Sequence, residues 1–250
     1  FTPAMAALRL ASRGRSCARH WMSGGAGCAT QGNLKLALIL GSTRDEGPPW
    51  PAPLGARVGA FLKKEVEARG HEVLVVDPLE EGLGLLRRPH FAFASGKVPP
   101  ELDAISSRLR SADGFVVCTP EYNHAPGPAL LNLLAHFGGS TFAFKPSAIV
   151  SYSAGQWGGT RAAHALRPVL SELGCLPVSA MVHVPKAHEV FADTSGVASK
   201  DAERWSAYSS RTLSQLEWWA TAARTHRSVQ DPTIDSPPLR KAPSDRNAPS

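Results

Sequence analysis

Short apolar runs alternate with amphipathic stretches along most of the chain. Leu34 to Leu40, Val73 to Val76, Phe115 to Cys118, Ala148 to Val150 and Val178 to Val184 are brief, aliphatic and bounded by turn formers. Three or four apolar residues in a row, rather than strict alternation, mark strands buried on both faces of a parallel sheet. The pattern predicts strands over Asn33–Leu40, Glu72–Val76, Gly114–Cys118, Ser147–Ser151 and Val178–Val184. Between them, helical periodicity predicts helices over Leu54–Arg69, Pro100–Ser111, Ala129–Phe137, Thr160–Leu173 and Asp201–Thr225. Gly70 and Gly174 supply stops, and Pro126 and Pro128 stand near a start. In the last helix Trp205, Tyr208, Leu213, Leu216 and Trp219 have core-like spacing. Strands alternating with helices, without an internal repeat, give one doubly wound five-stranded α/β sheet of order 2-1-3-4-5 between two helical layers. Residues 79–99 are irregular, and residues 226–250, with five prolines and few apolar groups, read as a disordered tail.

Ligands of such sheets bind at the carboxyl ends of the strands, around the switch point between strands one and three. Three loops there carry chemistry. Gly41-Ser42-Thr43-Arg44 offers backbone N–H groups, hydroxyls and a guanidinium to an anion. It is neither GxGxxG nor a Walker loop, so it specifies no dinucleotide or ATP. Thr119-Pro120-Glu121-Tyr122-Asn123-His124 adds a planar ring and polar edges, and Tyr152 to Gly159 adds glycines. A phosphate loop, an aromatic loop and a glycine-rich loop converging on one rim describe flavin mononucleotide, FMN. The proline-rich stretch Asp45 to Pro53 is a stiff excursion before the first helix, and its acids would repel a phosphate unless they point away. Plainer readings stand beside these. Asn123 and the prolines serve a surface turn equally well. Glu121 reads as an anchor for backbone N–H groups before a general base. Trp157 is a wall or a packing residue, and Trp218 and Trp219 are core or interface residues.

Composition narrows the class. The chain has 250 residues, 43% hydrophobic, with a net charge of +6. Four of its 27 basic residues and none of its 21 acids fall in residues 1–33, so the remainder is near +2 and makes no case for nucleic acid. No run approaches the length of a membrane span. The acid-poor, Arg- and Ser-rich leader reads either as an organelle transit segment, mitochondrial for instance, or as a disordered terminus of a cytosolic protein; Met5 and Met22 are both candidate starts. Cys17, Cys28, Cys118 and Cys175 form no CxxC and read as free thiols, with no metal site.

Gly41-Ser42-Thr43-Arg44, Thr119 to Asn123, Ser151-Tyr152-Ser153 and Gly158-Gly159-Thr160-Arg161-Ala162 resemble the NADPH-dependent FMN reductase family, which includes flavodoxin-like quinone and azo-dye reductases. The resemblance spans residues 34 to 191 and extends to Arg167. It implies a flavodoxin-like, three-layer α/β/α domain over 34–225. It implies that Ser42 and Arg44 hold the FMN phosphate, with Arg57 a further candidate. Pro120, Glu121, Tyr122 and Asn123 would line the flavin ring, and Ser153, Gly155, Trp157 and Gly158 would border its pyrimidine end. It further implies hydride transfer from NADPH or NADH through flavin N5 to a quinone, azo compound or flavin, in a homodimer or tetramer. No protein nucleophile or metal is required; His124 is the one side chain considered for protonating an acceptor. The alternative is an FMN-binding electron carrier or interaction module without turnover. Carriers of this fold are strongly acidic for docking, and this body is not.

Overall fold

The computed structural model describes residues 32–50, 53–94, 96–232 and 234. The expectations for the leader and for most of the tail fall outside them, as do Cys17 and Cys28. The described chain runs β1 (Lys35–Leu40), α1 (Leu54–Ala68), β2 (Glu72–Val76), α2 (Pro100–Ser111), β3 (Gly114–Tyr122), β4 (Ala125–Pro126), α3 (Pro128–Ala135), α4 (Gly139–Phe142), β5 (Pro146–Tyr152), α5 (Thr160–Glu172), β6 (Leu176–Pro177), β7 (Val182–Val184), α6 (Ala187–Val190) and α7 (Ala202–Val229).

β2, β1, β3 and β5 lie side by side in parallel, and β6 and β7 both pair with the outer edge of β5. The expected five-strand order and the flavodoxin-like three-layer fold are what the chain adopts. The apolar runs follow from burial on both faces. Leu36, Leu38 and Leu40 of β1 pack with Val58, Phe61 and Leu62 of α1 and Leu213 and Leu216 of α7. Ala37 and Ile39, on the opposite face, pack with Ile105 and Leu109 of α2, Leu133 of α3 and Leu166 of α5. Successive side chains of a strand point to opposite faces, so a strand covered on both sides must be apolar throughout.

Several boundaries differ from expectation by one or two residues, and larger differences occur in β3, the last strand and α7. β1 begins at Lys35, not Asn33. β3 runs four residues past Cys118, because Thr119 and Pro120 still pair with Ser151 and Tyr152 of β5. The last strand is split in two. Between its halves Val178 N–H still donates to Ser147 O at 2.9 Å, Ala180 N–H turns to Gln215 Oε1 at 3.0 Å, and Arg167 donates to the carbonyls of Val178 and Pro177 at 2.9 and 3.2 Å. Finally, α7 continues to Val229, into the stretch read as tail. Its buried stripe is Ser209, Thr212, Leu213, Leu216, Glu217 and Ala220, which leaves Trp218 and Trp219 59% and 43% exposed as an edge-to-face pair 4.6 Å apart. The two tryptophans are therefore not core.

Candidate functional site

The loop leaving β1 opens at the switch point, where β1 and β3 neighbour each other. Arg44 N–H donates to Ser42 Oγ at 3.2 Å, which curls the loop over its own hydroxyl. Tyr152, the last residue of β5, is buried and lines the same space as Ser42; burial pushes its phenol well above the ordinary range, so it stays neutral and can donate. The Arg44 guanidinium donates through one terminal nitrogen to Pro48 O at 2.9 Å, and its other nitrogens have no acceptor among the described residues. Arg57, expected as a further phosphate ligand, does something else. It is 2% exposed and spans from Pro49 O, at 2.8 Å, to Phe191 O, at 3.0 Å. Two arginines thus pin two successive carbonyls of the proline-rich excursion.

Thr119 to Pro126 is a hairpin rather than an open loop. Glu121 pairs with Pro126 and Tyr122 with Ala125 in antiparallel register. Asn123 and His124, at φ 50° and 63°, form a two-residue turn with both residues left-handed, the geometry that matches strand twist. Their identity is explained by the turn, since Asn and His tolerate positive φ better than most residues. Thr119 Oγ1 accepts from Gly127 N–H at 3.1 Å and closes the base of the hairpin. A Cβ on Gly127 would sit 2.3 Å from Gly41 O, so the hairpin and the β1 loop are in backbone contact that only glycine permits.

Glu121 is anchored rather than free. Its Oε2 accepts from Arg161 N–H at 3.1 Å and Ala162 N–H at 3.2 Å, and its Oε1 lies 3.7 Å from the Arg161 guanidinium. It caps the first turn of α5 from across the sheet, where a carboxylate also meets the positive end of the helix. This is the anchoring reading of Glu121.

In the third loop Ser153 N–H donates to Val184 O at 3.1 Å, Ser153 Oγ to Gly155 O at 3.0 Å, and Lys186 N–H to Gly155 O at 2.9 Å. Trp157 is 60% exposed, with the Arg161 guanidinium 5.6 Å from its ring centre. Gly158 has φ +61°, and a Cβ there would meet the backbone of Val184 and Pro185 at about 3 Å. The fold itself therefore accounts for this glycine, without a ligand ring. A Cβ on Gly155 would meet nothing closer than 3.9 Å.

These elements surround a cavity of about 180 Å³ whose lining includes Ser42, Arg44, Pro120, Glu121, Tyr122 and Ser153. A second cavity, of about 200 Å³, shares Ser42, Arg44 and Tyr122 with it and adds Gly41 and Thr43. Tyr122, 38% exposed, stands between the two. So six of the ten expected cofactor residues meet at one place, whereas Asn123, Gly155, Trp157 and Gly158 lie outside both linings. Sequence reasoning missed Tyr152 and the Pro48 and Pro49 wall. The signal for Tyr152 was a hydroxyl-bearing ring ending an otherwise buried strand.

A doubly wound parallel sheet with a hydroxyl- and arginine-bearing loop at its switch point defines a flavodoxin-like protein. More specifically, the chain belongs to the NADPH-dependent FMN reductase family, whose sequence profile matches residues 34–189. It is 41% identical over 78 residues to "Probable NADPH:quinone oxidoreductase 1" of Oryza sativa subsp. japonica, covering 30% of this chain and 39% of that protein. It is 36% identical over 75 residues to "Quinone reductase" of Escherichia coli strain K12, covering 29% and 40%. The chain thus spans about two fifths of these curated relatives' length. Among solved structures, FerB, a flavoenzyme NAD(P)H:(acceptor) oxidoreductase from Paracoccus denitrificans, superposes with a TM-score of 0.56 at 19% identity, covering 74% of this chain and 97% of that one; this likeness concerns the fold.

Proposed function

We propose that the protein is an FMN-dependent oxidoreductase that passes a hydride from NADPH or NADH to a quinone, an azo compound or a free flavin. The observation that carries this reading is the pair of adjoining cavities sharing Ser42, Arg44 and Tyr122, on a fold whose family is known. The donor set fits the group. A monophosphate needs several donors and a cation, and Ser42, Thr43, neutral Tyr152 and the uncommitted nitrogens of Arg44 supply them. A flat ring needs apolar walls, and Pro120 and Tyr122 face the same space.

When bound, the flavin would supply the hydride chemistry. The protein's part is positioning. Arg44, held by Pro48 O, keeps its remaining donors on the rim. Glu121 fixes the hairpin to the start of α5, so Pro120 and Tyr122 hold their places relative to the third loop. Ser153, tied to Val184, lines the same cavity as Arg44. His124 sits on the exposed turn and lines neither cavity. We also infer a homodimer that buries the outer face of α3 and α5, where Leu131, Leu134, Val169 and Leu173 line an apolar groove of about 410 Å³.

The test is an absorption spectrum of the purified protein, followed by turnover with quinones, azo dyes and flavin and each nicotinamide. Bound flavin with nicotinamide oxidation that requires an acceptor is the expected result. A colourless protein that takes up no added FMN overturns the reading.

A further inference from the structure

A cavity of about 550 Å³ opens between the end of β7, α6 and the start of α7, lined among others by His183, Lys200, Asp201, Arg204, Trp205 and Tyr208. Its size lies within the range of sites for small organic ligands, roughly 300–1,000 Å³. It shares no residue with the two cavities at the switch point.

The histidine has a definable state. Ser151 has one hydroxyl proton, and Gly158 O, which can only accept, lies 2.7 Å from Ser151 Oγ. The 2.8 Å contact between Ser151 Oγ and His183 Nδ1 is therefore donated by the ring. Burial and the neighbouring His164 hold the His183 pKa below its ordinary value, so the ring is neutral at pH 7. Nε2 is left as an acceptor with no partner among the described residues. Beside it, the half-buried rings of Trp205 and Tyr208 lie 5.9 Å apart and form a stiff aromatic wall. Lys200 and Arg204 are exposed and make no ion pair among the described residues, whereas Lys186 is taken up by Glu189 at 3.3 Å. Asp201 adds an exposed carboxylate. Lys186 and Asp201, at φ 45° and 52°, are the residues that open α6 and α7.

The lining therefore asks four things of an occupant: a flat ring for Trp205 and Tyr208, a donor on the ring edge for His183 Nε2, hydroxyls for Asp201, and negative charge for Lys200 and Arg204. We propose that this cavity binds an adenosine phosphate. The adenine amino group donates to His183, the ribose hydroxyls donate to Asp201, and the phosphate meets the two free cations. A simple aromatic acid would meet the cations but leave the Asp201 carboxylate without a donor. The ligand has two sources, a free adenine nucleotide or the adenosine half of a nicotinamide coenzyme. The cavity adjoins the switch-point site through one strip of backbone, because Val184 and Lys186 bond to Ser153 and Gly155. The proposal stands on its own residues and does not require the flavin reading.

The test is calorimetric titration of the full-length purified protein with AMP, with and without Arg204→Gln and Lys200→Gln, both exposed positions outside the core. AMP binding is expected, weakened roughly tenfold by each variant. No heat with AMP at about 1 mM, equal affinity in the double variant, or inorganic phosphate binding as tightly as AMP overturns it. The sources separate in kinetics. A KM for NADH or NADPH raised in Arg204→Gln at constant kcat assigns the cavity to the coenzyme; AMP binding with that KM unmoved assigns it to a free nucleotide. Flavin uptake is read by absorbance in the same samples, so a failed flavin site and a failed nucleotide site give different results.

Discussion

Replacing Glu121 by Gln separates its two readings. The carboxylate accepts two backbone N–H groups of the first turn of α5, at 3.1 and 3.2 Å, and its side chain is 11% exposed. Hydrogen bonds to a charged group contribute about 1.5–3 kcal/mol and neutral ones about 0.5–1.5. A charge at a helix N-terminus adds about 0.3–1 kcal/mol. Glutamine keeps one acceptor oxygen, loses the charge, and turns an N–H₂ towards donors. The expected loss of stability is thus roughly 1–3 kcal/mol. For a chain of this size each kcal/mol moves Tm by about 2–4 °C, so the shift is roughly 2–12 °C. Thermal melts by circular dichroism read it. Because Glu121 is engaged with the helix, the pH profile of turnover keeps its shape in Glu121→Gln. Loss of a general base would instead lower kcat by roughly 10²–10⁴-fold. Such a drop, with an altered pH profile and an unmoved Tm, would refute the anchoring role.

Three other outcomes follow from the geometry. Arg44→Ala weakens FMN binding by roughly 1.5–3 kcal/mol, the range for a charged hydrogen bond, read by flavin fluorescence titration of apo-protein; an unchanged affinity removes Arg44 from the phosphate site. Gly158→Ala forces a side chain to φ +61° and into the backbone of Val184 and Pro185, and costs roughly 2–4 kcal/mol of stability in denaturant melts. Weakened flavin binding at unchanged stability would show that the glycine serves the ring and not the fold. Burial lowers the Lys145 pKa from 10.5 to about 8, with the Arg227 charge adding to the effect. Below pH 8 the ammonium is charged in both states and the folded state bears the whole penalty. Between pH 8 and 10.5 the unfolded chain binds the proton more tightly, so stability rises with pH, by about 3 kcal/mol at 1.36 kcal/mol per pH unit. Lys145→Met lacks that rise, and a constant difference between the two proteins across this range would contradict it.

The sheet and its order were legible because burial on both faces leaves an unmistakable apolar run, and because helices between parallel strands leave few topologies. What was not legible depended on partners distant in sequence. Nothing within Val178 to Val184 announces an interruption; Arg167 and Gln215 create it by capturing the backbone there. Trp219 fits a helical core period as well as Ala220 does, and only the rotation of α7 against β1 and β5 decides between them. At the site, the hydroxyls, Arg44 and Tyr122 could be read directly, since their chemistry is carried by their type. Asn123 carried a double meaning, because a residue able to bond a ring edge is also one that tolerates a left-handed turn. Tyr152 was hidden because its last-in-strand position looks like packing until Ser42 is placed beside it.

The proline-rich excursion gains its meaning from the same long-range view. By sequence it was an obstacle between a phosphate loop and its helix, carrying two acids near an anion site. In the structure it is fastened twice, by exposed Arg44 at Pro48 O and by buried Arg57 at Pro49 O. A buried guanidinium is tolerated only when its donors are matched, and Arg57 meets that condition by bridging to Phe191 O beyond α6. The wall of the cavity is therefore tied through a core cation to the segment that follows α6. An exposed arginine on a free loop would lose side-chain entropy on meeting a phosphate; one already held at Pro48 O has given up much of that freedom on folding. The excursion thus acts as a splint for Arg44, and the prolines suit that task because they lower the freedom of the unfolded chain while leaving the carbonyls, the groups the arginines need, intact.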